Sequence, residues 1–246
     1  MSVVALSEPM VSVVVPIYDG RRYLPEAIAS VQAQTFRDFE LIVVDDGSRD
    51  DGAALAATLA PEARILRHAT NRGLGAARNS GAWAARGSFV TYLSADDLWD
   101  PEFLERTMAR ARREPEAVHF SRYRFIDGER RARFSLVIPR FDDAASFRDR
   151  TWEWADAKNC FVSFSAALFP RALFEVVPFD EDLRFNEDLL FLLQSMYQAP
   201  YRLVDAELGS YRLHAEQTTQ RVLDQIPAQV DRILERARRE LLGKAA

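Results

Sequence analysis

The sequence predicts an α/β fold, a mostly parallel central sheet flanked by helices. Three observations carry this. Short β-branched runs alternate with helical spacings through the first hundred residues. Strand and helix alternating at that interval imply crossover units, and so a parallel sheet with helices on both faces. After about residue 115 the pattern changes to a hairpin and longer aromatic stretches.

Each element has a local reason. Val11–Val15 is too short for a helix and suits a buried strand, ended by Pro16. Leu24, Ile28 and Val31 recur at helical spacing, with Pro25 near the first turn. Leu41–Val44 is a second strand, ended by Asp45-Asp46-Gly47-Ser48. Asp50–Ala60 is an Ala-rich helix, Arg64–His68 a third strand, and Gly75–Arg86 a helix with Gly87 as its C-cap. Phe89–Leu93 is a fourth strand, and Asp100-Pro101-Glu102 has the order of an N-cap, first helical position and first-turn acid. Ala117–Ile126 and Arg131–Ile138 form a hairpin around Asp127-Gly128. Residues 140–158 suit a long loop, Phe161–Phe169 alternates again, and Asn186–Gln198 is an apolar helix. Val222–Leu242 is an amphipathic helix. No linker separates the halves, which are expected to share one sheet.

Composition narrows the function. The chain has 246 residues, 48% apolar and 11% aromatic, enough for a packed core. Lys+Arg total 32 against 37 Asp+Glu, a net −5, which argues against a general nucleic-acid binder. Cys160 is the sole cysteine, so no disulfide framework and no Cys-based zinc module is expected. The histidines lie far apart at 68, 119 and 214. A bound metal would therefore rest mainly on carboxylates, which favour Mg²⁺, Mn²⁺ or Ca²⁺. No apolar run reaches the roughly 18 residues of a membrane span. The first basic residue is Arg21, so no charged leader is expected and the cytoplasm is the expected location.

In parallel sheets ligands bind beyond the carboxyl ends of the strands. Pro16–Gly20, Asp45–Ser48 and Ser94–Asp97 all fall there. Ser94-Ala95-Asp96-Asp97 sets two carboxylates after an apolar strand. A divalent cation would relieve their repulsion, although helix capping is the competing explanation. Asn71 to Asn79 offers Gly73 and Gly75, but Arg78 stands where a third glycine would complete a dinucleotide fingerprint. What remains is a loop entering a helix, with Arg78 suited to a diphosphate or to an ordinary surface. Glu187-Asp188 opens an apolar helix, where carboxylates are favoured structurally and where one could act as a general base. Arg212 and His214 share one side of an extended segment, suited to phosphate or to a metal shell.

Taken in order, these pieces resemble family 2 glycosyltransferases. The likeness runs through Val11-Ser-Val-Val-Val-Pro16-Ile-Tyr18 and Glu40-Leu-Ile-Val-Val-Asp45-Asp46-Gly47-Ser48. It continues through Asn71-x-Gly73-x-x-x-Ala77-Arg78-Asn79-x-Gly81, Ala95-Asp96-Asp97-x-Trp99-x-Pro101, Glu187-Asp188 and Tyr211-Arg-x-His214, over roughly residues 10 to 218. The resemblance implies a GT-A fold, with a nucleotide-sugar-binding half at about 10–114, an acceptor half at about 115–218 and a C-terminal helix at about 219–246. It implies an inverting transferase that uses Mn²⁺ or Mg²⁺. By matching position, Pro16, Tyr18, Asp45, Asp46, Asn71 and Arg78 would meet the nucleotide. Asp96 would bind metal, with Asp97 and His214 as further candidates. Asp188 would be the catalytic base with Glu187 beside it, and Arg212 would help to close over diphosphate. Ser94 stands where the family's metal motif starts with Asp. It keeps a hydrogen bond but brings no charge, which leaves open a non-catalytic donor-binding relative.

The expected partners are a nucleotide-sugar donor, UDP-linked by preference, and a glycan or glycoconjugate acceptor. Peripheral membrane contact and a homodimer through the last helix stay open. A nucleotidyltransferase is disfavoured because Pro16-Ile-Tyr-Asp-Gly20 stands where its Gly-rich loop would be. Aromatic residues between 120 and 164 are expected to be core, except Trp152 and Trp154, which are expected to stack on acceptor sugars.

Overall fold

The computed structural model describes residues 8–243. Elements run β1 (Val11–Ile17), α1 (Leu24–Gln32), β2 (Phe39–Asp45), α2 (Gly52–Leu59), β3 (Arg64–Arg67), α3 (Leu74–Ala84), β4 (Phe89–Tyr92), β5 (Leu98–Trp99) and α4 (Phe103–Ala111). Then come β6 (Val118–Ile126), β7 (Ala132–Ser135), α5 (Ala144–Asp156), a 3₁₀ turn at Phe164–Ala166, β8 (Ala167–Pro170), α6 (Leu173–Val176), α7 (Glu187–Ser195), β9 (Tyr201–Arg212), α8 (Thr218–Arg221) and α9 (Ile226–Leu241). One sheet carries both halves in the order β3-β2-β1-β4-β8-β6-β9-β5, with β7 on the far end of β6. β3, β2, β1 and β4 are mutually parallel, and β8 enters antiparallel to β4.

The sheet separates two apolar layers. Val11, Val13 and Val15 face α1, α2 and α4, while Val14 faces the layer that holds α3, α5, α7 and α9. A strand buried on both faces needs this continuous apolar run, which is why β1 is legible without alternation. Gly81 lets α3 approach β1, since a Cβ there would stand 2.3 Å from Val14. Strand order reverses between β1 and β4, the switch point at which such sheets bind ligands.

Several boundaries differ from expectation. β1 does not stop at Pro16 but continues to Ile17. The Val14 carbonyl accepts from Leu93 N at 3.0 Å, so Pro16, two residues on, faces the same side. There the pairing with β4 has already ended, at Val14 and Tyr92, and no N–H is missed. α3 ends at Ala84, and its C-cap is Ala85, not Gly87. α4 starts at Phe103, so Asp100 is no N-cap; its carboxylate pairs with Arg124 at 2.5 Å. The expected loop at 140–158 holds α5, started by a reciprocal capping box between Asp143 and Ser146. Trp152 and Trp154 are half-buried against the core rather than free for sugars; Trp152 Nε1 bonds the Tyr197 hydroxyl at 3.2 Å. The C-terminal helix begins at Ile226, and Val230, Ile233, Leu234 and Ala237 bury its apolar face within this domain. That face is therefore not free to make a homodimer. Among the described residues no helix is long and apolar enough to cross a membrane.

Candidate active site

At the end of β1, Tyr18 projects with 44% of its surface exposed, while Pro16 lies buried in the strand. Asp45 and Asp46, at the end of β2, are both buried. Asp45 accepts from Ser48 N at 2.9 Å and Arg67 Nε at 3.2 Å. Asp46 accepts from Arg72 N at 2.9 Å and Gly73 N at 2.8 Å, and meets His68 Nδ1 at 2.6 Å. These carboxylates shape their loops. Gly47 between the loops has φ +75, and a Cβ there would stand 2.7 Å from the Thr70 backbone. The loop so held presents Asn71, which is exposed.

The turn after β4 divides its two carboxylates. Asp97 is buried and accepts from Arg212 N at 3.1 Å. Burial first, and then the charge of Asp96, push it up to about 8. Asp96 is part-exposed, and its Oδ2 lies 3.0 Å from His214 Nε2. His214 packs on Tyr23 at 4.7 Å, and its buried Nδ1 has no partner among the described residues. Ser94 N donates to Ser165 Oγ at 3.2 Å, and the two hydroxyls lie 3.1 Å apart.

Both expected diphosphate arginines are committed elsewhere. Arg212 is fully buried. It donates to Asp96 O at 2.8 Å, Gly128 O at 3.0 Å and Glu26 Oε2 at 2.9 Å, beneath the Tyr23 ring. Arg78 pairs with Glu187 Oε1 at 2.7 Å, both groups buried, with Phe164 and Phe179 around the guanidinium at 5.1 and 5.2 Å. Burial pushes Glu187 up to about 7 against the opposing pull of Arg78. Each arginine braces a loop that carries a carboxylate.

Asn186, in the left-handed conformation at φ 57, turns the chain into α7 and sets Asp188 beside the buried pair. Asp188 is part-exposed, and its Oδ1 accepts from Leu189 N at 2.8 Å. Its charge reaches groups to which the sequence assigned no role. Tyr211 is pushed up to about 12 by burial first, and also by Asp97, Asp96 and Asp188. Cys160 is exposed as a residue, yet its thiol is tucked on Val162 O at 3.3 Å and raised by burial and then by Asp188. Ser165, Tyr123 and Cys160 carry no local motif, so only packing could bring them here. Asp97 and Asp96 thus meet the end of β9, through Arg212 N and His214 Nε2. Among the described residues no three His, Cys, Asp or Glu side chains converge as a metal cage. A separate cavity of about 890 Å³ lies between the 136–143 segment and β9 and includes none of these residues.

Comparison with known proteins gives these features a family. The model described as glycosyl transferase family 2 matches residues 12–177. An uncharacterized glycosyltransferase of Rickettsia prowazekii is 29% identical over 226 residues, covering 89% of this chain and 68% of that protein. An uncharacterized glycosyltransferase of Nostoc is 31% identical, covering 83% of this chain and 65% of its own length. The Rickettsia felis relative is 36% covered, so the chain spans between about a third and two thirds of such proteins. Among solved structures, S. aureus TarS 1–349 in complex with UDP-GlcNAc superimposes with a TM-score of 0.69 at 19% identity, over 94% of this chain and 73% of that one. The UDP complex gives 0.66 at 19%, over 92% and 64%. At that identity the likeness establishes the shared GT-A architecture.

Proposed function

This chain belongs to glycosyl transferase family 2, and from that premise we propose that it transfers a sugar from a nucleoside-diphosphate sugar to an acceptor hydroxyl with inversion. UDP is the favoured nucleotide, in keeping with the UDP and UDP-GlcNAc complexes of TarS. The observation that carries the reading is the turn at Phe164–Ala166, which joins the two acidic turns: Ser165 Oγ donates to Ser94 Oγ at 3.1 Å on the Asp96 side, and Phe164 packs at 5.1 Å on Arg78, the partner of Glu187 beside Asp188. A carboxylate suited to metal and a carboxylate suited to proton removal therefore flank one turn.

Asp188 is the base. It takes the proton of the acceptor hydroxyl as that oxygen attacks the anomeric carbon opposite the nucleotide. The Arg78–Glu187 pair holds the start of α7, and so holds Asp188, in place. Tyr18 and Asn71 are the exposed groups left to meet the nucleotide. Asp96 and His214 would hold a Mn²⁺ or Mg²⁺ ion, as one carboxylate and one imidazole 3.0 Å apart. Bound there, the ion would stabilise charge on the leaving diphosphate.

The test is donor turnover by the parent chain and Asp188→Asn, with UDP-sugars and Mn²⁺. Turnover should fall by about 10²–10⁴-fold while donor binding persists. Equal losses of donor affinity and rate would remove Asp188 from the base role. A second reading, donor binding without transfer, is favoured by the uncharged Ser94 held on Ser165. Tight donor binding with no transfer or hydrolysis would establish it.

A further inference from the structure

Three aromatic side chains stand in register across three strands of the second half. Phe134 on β7 pairs with Phe125 on β6, and Phe125 pairs with Tyr211 on β9. Phe125 stacks on Phe134 at 4.4 Å and touches Tyr211 at 5.4 Å. Tyr123, one pleat earlier on β6, contacts both Phe125 and Tyr211. The row is half-buried at Tyr211 and Phe125 and open at the other end, where Phe134 is 56% exposed.

A core ring does not behave this way. Every residue of β7 is exposed, so nothing in the fold requires a phenylalanine at 134. Gln217 Nε2 donates to the Tyr211 hydroxyl at 2.9 Å, which fixes a polar tip at the inner end. An apolar stack leading to fixed hydroxyl and carboxylate groups matches a ring with C–H faces and hydroxyl edges. The large exposed apolar side chains nearby are Phe134 and Val137, far too small a patch for a lipid surface or a stable protein interface.

We infer that Tyr211, Phe125 and Phe134 form an acceptor subsite that stacks a pyranose ring, and that the acceptor is an oligosaccharide rather than a single sugar. This rests on the transferase reading above. The length requirement comes from geometry. Phe134 stands two strand spacings from Tyr211, roughly 10 Å. A ring on Phe134 is therefore not the ring at Tyr211, and one chain must bridge both positions.

The experiment is binding of chitohexaose, cellohexaose and maltohexaose, and of GlcNAc and glucose, to the parent, Phe134→Ala and Phe134→Trp. At least one hexasaccharide should bind the parent saturably, bind Phe134→Ala about tenfold more weakly, and recover with Phe134→Trp. Monosaccharide binding should not respond to position 134. No saturable hexasaccharide binding overturns the inference, and so does equal binding by parent and Phe134→Ala. A change in elution volume or in lipid-vesicle binding on Phe134→Ala also overturns it, by assigning the ring to self-association or a membrane. UDP is the separate control: if it fails to raise the parent's Tm while a hexasaccharide binds through Phe134, the transferase reading fails and the subsite stands.

Discussion

The turn after β4 and the turn before α7 each carry two adjacent carboxyls, and each divides them in the same way. One member is buried and braced by an arginine; the other is part-exposed. At α7 the arginine contributes its guanidinium, and Arg78 pairs with Glu187 at 2.7 Å. At β4 the arginine contributes its backbone, and Arg212 N bonds Asp97 while the guanidinium crosses to Glu26 and Gly128. The consequence is electrical. Each buried acid has a like charge beside it, but Glu187 has a formal counter-charge in contact, whereas Asp97 has the Arg212 amide and the Ser165 hydroxyl, with the Arg212 charge acting without a contact pair. Adjacent acids are therefore not redundant copies of one function: the buried partner sets the loop, and the exposed one is left for chemistry.

The comparison can be broken most forcefully at Arg78. Arg78→Met leaves Glu187 buried without its counter-charge, and urea unfolding at pH 8 should show a loss of about 3–5 kcal/mol. Adding Glu187→Gln should restore most of that loss. A single-mutant cost below about 1 kcal/mol would mean that the pair does not brace α7.

On the other turn, Asp96→Asn should remove the extra Tm gained when Mn²⁺ is added with UDP. Asp97→Asn should keep that gain, because an amide of the same shape still accepts from Arg212 N. Loss of the gain in both variants would place Asp97 among the metal ligands after all.

A smaller effect concerns pH. Glu187 titrates higher in the fold, about 7, than its ordinary 4.5. Between those values the folded chain holds a proton that the unfolded chain has released, so this group's contribution to stability falls as pH rises through the window. The contribution is complete below the unfolded value and is lost above the folded one. Unfolding free energies between pH 5 and 8 should therefore slope downward in the parent, by up to about 1.4 kcal/mol per pH unit from this group. Arg78→Met with Glu187→Gln should lack that component. An identical slope in parent and double variant would show that Glu187 is not the titrating group.

The smallest expected effect is the stability cost of Asp97→Asn, about 1 kcal/mol or less, since shape and acceptor are kept. A larger cost would show that the carboxyl makes bonds an amide cannot replace.

Much of this protein lies open in its sequence because it is local. Val11–Ile17 is apolar at successive positions, and a strand buried on both faces demands that. The acidic pairs follow or precede elements whose periodicity marks their ends, so Asp45-Asp46 and Asp96-Asp97 could be placed at the sheet's ligand edge, and Glu187-Asp188 at a helix start, from the sequence alone. The start of α5 was also written locally, in Asp143 and Ser146, and was obscured by the polar, aromatic composition around it. What the sequence could not determine is which way each charged side chain turns. Arg78 and Glu187 are 109 positions apart, and Arg212 and Asp97 are 115 apart. Phe134, Phe125 and Tyr211 meet only because β7, β6 and β9 adopt one register. Burial decides these outcomes, because a charge removed from water must take the partner that packing supplies. That partner is fixed by the sheet order, and sheet order has no local signature.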